Sequence, residues 1–68
     1  MTITLEKIEI NNTAVCIEQD KFSDAYRVTA YHVIGVYGYP VTSLTYGTRK
    51  KADVRFQYLV RKARRGEI

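Results

Sequence analysis

The sequence predicts an α+β fold, a small antiparallel β-meander of three to four strands with one C-terminal α-helix packed on one face. Three observations predict it. Residues 2–46 are short runs rich in β-branched and aromatic residues, broken by turn signals. After Thr48 the apolar spacing changes to a helical period. The chain has 68 residues and 46% hydrophobic composition, enough for one small domain spanning 1–68 but not for two.

The first strand is expected over Thr2–Ile10. Ile3 and Leu5 share one parity and Ile8 and Ile10 the other, so a bulge is expected near Glu6–Lys7. Asn11–Asn12 is a tight-turn signal, because Asn tolerates the left-handed backbone of a hairpin loop. Thr13–Gln19 follows as a second strand with Val15 and Ile17 on one face. Residues 20–24 read as a polar loop with Phe22 as its apolar anchor.

Ala25–Tyr37 is the longest strand candidate. Tyr26, Val28, Ala30, His32, Ile34 and Val36 form its expected core face, and Arg27, Thr29, Tyr31, Val33, Gly35 and Tyr37 its outer face. Gly38-Tyr39-Pro40 is expected to turn the chain, since proline cannot donate to a ladder. Val41–Tyr46 is then a short strand with Leu44 and Tyr46 inward.

The helix is expected over about residues 49–65. Ala52, Phe56, Leu59, Val60 and Ala63 fall on one stripe about 100° wide, the arc of a core-facing helix. Thr48 is the expected N-cap, and Gly66 sits where a helix stops.

Charge is the functional signal. The formal net charge is +4, and eight of the eleven Lys and Arg residues lie in 48–68, against only Asp53 and Glu67. Lys50, Arg61 and Arg65 line up opposite the apolar stripe. Lys51, Arg55 and Lys62 form the adjacent row, and Val54 and Tyr58 lie between the rows. An outward tyrosine flanked by cations suits phosphate contact with ring stacking. Arg49, Lys50 and Lys51 occupy the first turn, where the helix dipole disfavours each cation by about 0.3–1 kcal/mol. Together with Thr48 they make an expected anion corner, although the Walker pattern is absent. Arg27, Thr29 and Tyr31 on the outer sheet face are further candidate contacts.

The remaining chemistry is sparse. Cys16 is the only cysteine and His32 the only histidine, too few for a closed zinc site. They fall on opposite strand faces, so no Cys–His nucleophile is expected. The scattered acids show no acid–base spacing. The expectation is therefore a non-enzyme with no catalytic residue, cofactor, metal or small-molecule substrate. The lone cysteine, the N-terminus without a signal pattern and the lack of a long apolar run together suggest a cytoplasmic protein without membrane attachment. Two partner classes follow. One is DNA or RNA, bound through the basic helix. The other is an acidic protein or a second copy of the chain, met through Val54 and Tyr58 or through an open sheet edge.

Overall fold

The computed structural model describes residues 2–68. Four strands run in the order β1 (Thr2–Ile10), β2 (Thr13–Asp20), β3 (Tyr26–Ile34) and β4 (Tyr37–Tyr46), and α1 (Arg49–Arg64) follows. The strands form one sheet in sequential order with every neighbouring pair antiparallel, which is the meander with a C-terminal helix. α1 rests chiefly on β2 and β3 and meets β4 and β1 less.

The helix forms where the period demands. Ala52, Phe56, Leu59, Val60 and Ala63 are all buried, and they meet Val15, Ile17, Val28 and Ala30 of the two central strands. Burying each of the larger side chains, Phe56, Ile17, Val15 and Val28, contributes about 1.5–3 kcal/mol. Thr48 caps the first turn by accepting from the Lys51 amide at 3.3 Å. The other end closes as a Schellman motif. Gly66 takes φ +70°, its amide donates to Ala63 at 3.1 Å, and the Glu67 amide donates to Lys62 at 2.9 Å.

The first hairpin turns through Asn11 and Asn12, both at positive φ (48° and 66°), as a two-residue loop requires. The bulge in β1 lies at Leu5, between Thr4 opposite Glu18 and Glu6 opposite Ile17, one step before the expected Glu6–Lys7. The extra residue lets Leu5 pack on the core with Ile8 and Ile10 despite their opposite parities. It also puts Glu6 on the helix side of the sheet, in line with Ile17 and Val28.

The second half of the sheet departs from expectation. The chain turns at Gly35–Val36, not at Gly38-Tyr39-Pro40. Gly35 at φ +62° opens a two-residue loop between Ile34 and Tyr37, which pair with each other. Pro40 lies inside β4 opposite Tyr31, and Val41 beside it is the extra residue of a second bulge. Proline is tolerated there because β4 is an edge strand.

Shortening β3 takes its far end off the core. Val28 and Ala30 are buried, but Ile34 is exposed and Val36 is 92% exposed at the loop. Phe22 is not an anchor; it is 85% exposed. The Asp20 carboxylate organises that loop instead, accepting from the Phe22 amide at 2.9 Å and the Ser23 hydroxyl at 3.1 Å. Leu44 lies on the helix side opposite Val28, yet remains 44% exposed because α1 does not extend over β4.

Among the described residues no second layer covers the opposite sheet face, yet Ala14 and Cys16 of β2 are buried on it. Lys7 and Tyr31, from the strands on either side, lie across them. The Lys7 ammonium is 5.7 Å from the Tyr31 ring centre.

Candidate nucleic-acid interface

The basic residues sort by partner. Arg49 is tied down: its Nε donates to Asp53 at 2.9 Å, one helical turn on, and its guanidinium lies 3.8 Å from Glu6 on β1. Its pKa is raised, chiefly by the Asp53 hydrogen bond. Folding therefore accounts for Arg49 at the helix start, contrary to the argument from the dipole alone. Arg65 meets Glu67 at 2.6 Å just past the helix. Among the described residues, Lys50, Lys51, Arg55, Arg61, Lys62 and Arg64 have no carboxylate within 4 Å. Lys50 and Lys51 remain cations in a first turn that holds no acid.

These free cations surround an apolar recess. An open recess of about 670 Å³ lies along the outward flank of α1, where Tyr46 at the end of β4 meets the helix. Its apolar floor is Tyr46, Val54 and Tyr58, and Lys50, Lys51, Arg55 and Arg61 line it with positive charge. Val54 is 67% exposed and Tyr58 39% exposed, both far from the stripe that closes the core. Lys62 Nζ and the Arg55 guanidinium flank the Tyr58 ring at 5.3 and 5.1 Å from its centre, within cation–π range. Thr48, whose hydroxyl caps the helix, stands exposed at its start.

Tyr46 was legible only as an inward residue. Its parity is inward and it does pack on the core, but its place at the end of the edge strand beside α1 gives it a second role as groove lining. The signal for that role is strand order, which a single sequence does not carry.

The sheet-face candidates lie elsewhere. Arg27, Thr29 and Tyr31 line the face opposite α1, so one flat ligand surface cannot meet both sets. The Thr29 hydroxyl is 3.2 Å from the Ser43 hydroxyl across the strands, and Tyr31 lies over Gly38. That face carries Lys7 and Arg27 against Glu9, Glu18 and Asp20. It is mixed in sign, whereas the outer face of α1 is almost wholly positive. Cys16 lies on the mixed face and His32 on the helix side, so the two do not face each other. Burial raises the Cys16 thiol pKa, with Glu18 adding to the shift. Among the described residues no three His, Cys, Asp or Glu side chains gather as a metal centre would require. No described helix is long and apolar enough to cross a membrane.

No protein-family model, curated protein or solved structure matches the chain.

Proposed function

We propose that the protein is a small, non-catalytic, cytoplasmic module that binds nucleic acid through the outer face of α1. The observation that supports this reading is the gathering of unpaired cations around an exposed Tyr58. Surface charge kept for solubility normally mixes both signs, as the opposite sheet face does. Apart from Arg49, the cations of α1 have no acidic partner among the described residues, while an aromatic ring and Val54 stay exposed among them. Phosphates match the cations, and bases match the ring. The buried, unpaired thiol of Cys16 suits a reducing compartment.

The test is a titration of short DNA and RNA at several salt concentrations. Each phosphate contact on duplex DNA gives about 0.9 of slope in log K against log salt. Engaging Lys50, Lys51, Arg55, Arg61 and Lys62 therefore gives a slope of about −4.5. Absence of binding at low salt sinks the proposal.

A second reading, an acidic protein partner or a second copy, is favoured by the apolar residues left exposed along the β3–β4 hairpin, Ile34, Val36, Tyr37, Tyr39 and Val41. Strand addition is not its route. Pro40 and the Val41 bulge interrupt the β4 edge, and Glu6, Lys7, Glu9 and the Leu5 bulge guard β1. A monomer mass in sedimentation at high concentration counts against the second copy.

A further inference from the structure

We infer that the groove on the outward flank of α1 beside Tyr46 takes an unpaired base of a single-stranded nucleic acid, stacked on the Tyr58 ring while Arg55 turns outward to the adjoining phosphate. This rests on the nucleic-acid reading and narrows it to single strands.

The floor of the groove is the first reason. Tyr46, Val54 and Tyr58 offer rings and methyl groups, and no backbone donor is needed to form the recess. Along its length a duplex presents phosphates and base edges, with its base faces stacked on one another. An apolar floor gains little from that surface. An unpaired base has a free π-face and carries its own phosphate, so ring and cation are both used by one nucleotide. At about 670 Å³ the groove has the scale of a small-ligand site, with room for a base. The rim of Lys51, Arg55 and Arg61 matches the sign of the strand.

Arg55 is the second reason. Its Nε is the one buried side-chain nitrogen or oxygen without a hydrogen-bond partner among the described residues. A buried donor without an acceptor is unfavourable, more so for a charged group. The same guanidinium stands 5.1 Å from the Tyr58 ring centre, where it shields the ring. Turning it toward a phosphate gives Nε an acceptor and frees the side of the ring it covers for a base, with Lys62 still beside the ring. One side-chain movement thus serves both halves of the nucleotide.

The chain has no tryptophan, so Tyr58→Trp places a unique fluorophore in the groove. The variant is titrated with oligodeoxythymidine, a duplex of equal length and oligoglutamate, with circular dichroism as the check on folding. The expected result is quenching of the introduced indole by the single strand alone. In parallel, Tyr58→Ala is expected to weaken single-strand binding, followed by anisotropy, about 5- to 150-fold. Duplex binding should change by about twofold or less, since no stacked base is lost. Duplex binding as tight as single-strand binding, with the indole silent to the single strand, overturns the inference and leaves the nucleic-acid reading standing. Failure of both nucleic acids to bind overturns both. Quenching by oligoglutamate equal to that by the oligonucleotide overturns the inference in favour of an acidic protein partner.

Discussion

The Lys7 ammonium lies 5.7 Å from the centre of the Tyr31 ring, with strand β2 running beneath the pair. The phenol beside it raises the Lys7 pKa above its ordinary 10.5. The contact closes the open sheet face over Ala14 and Cys16 without a second layer of structure.

Removing that cover should expose the thiol. Burial holds the Cys16 pKa up, so alkylation of the native protein is expected to be slow near neutral pH. Tyr31→Ala lowers the pKa and opens access. Each unit of fall raises the thiolate fraction about tenfold. Mass spectrometry of iodoacetamide labelling measures this, and an unchanged rate in a folded variant refutes the covering role.

Gly38 makes room for the same ring. A Cβ at that position would sit 2.9 Å from Tyr31 Cδ2. Gly38→Ala forces the ring to shift, at a cost of about 1 kcal/mol, the low end for overpacking because the face is open. In a domain of this size that lowers Tm by about 4–8 °C. The same substitution should accelerate Cys16 labelling, which separates ring displacement from general loss of stability.

The cap at the helix start is expected to contribute to stability. Thr48→Ala removes the acceptor of the Lys51 amide and should cost about 1 kcal/mol in urea unfolding, whereas Thr48→Ser should cost little.

Arg49 should matter less to binding than its neighbours. Its guanidinium is already shared by Asp53 and Glu6, while Lys51 and Arg55 have no acidic partner among the described residues. Lys51→Ala and Arg55→Ala should each lower the salt slope by about 1. Arg49→Ala should leave it nearly unchanged. Equal slope losses for all three, from salt titrations, would refute the distinction.

The Asp20 loop should respond to acid. Hydrogen bonds from the Phe22 amide and then the Ser23 hydroxyl hold the Asp20 pKa below its ordinary 3.8. The unfolded chain therefore takes up the proton first as pH falls. The stability Asp20 contributes is complete above pH 3.8 and is lost as pH drops through the lowered native value. Asp20→Asn should flatten this part of the stability–pH curve, as read by thermal melts between about pH 5 and pH 2, a range set about the ordinary carboxylate pKa.

The elements that announce themselves locally were legible. The helix stripe repeats at 3.6, Thr48 and Gly66 mark its ends, and Asn11–Asn12 marks a hairpin. The second hairpin was hidden. Gly35 and Gly38 both interrupt the β-forming residues of 33–39, and Pro40 is a louder turn signal than a single glycine, yet the edge position of β4 makes the proline harmless and Gly35 supplies the left-handed residue. The cationic rows and the outward Tyr58 followed from helical geometry alone. Glu6 beside Arg49 did not, because that pair joins opposite ends of the chain through a bulge and a packed helix. The groove was out of reach for the same reason, since it needs Tyr46 at the end of β4 to stand beside the outward flank of α1.

The division of charge between the two sides of the sheet has a kinetic consequence. One side carries the free cations of α1, and the other carries Glu9, Glu18 and Asp20 against two cations. Such a body has a permanent electric moment directed from the mixed face toward the helix. In the field of a polyanion it turns before it touches, presenting the helix and withdrawing the mixed face. Orientation is then settled during approach, and the fraction of collisions that are productive falls as added salt shortens the range of that field.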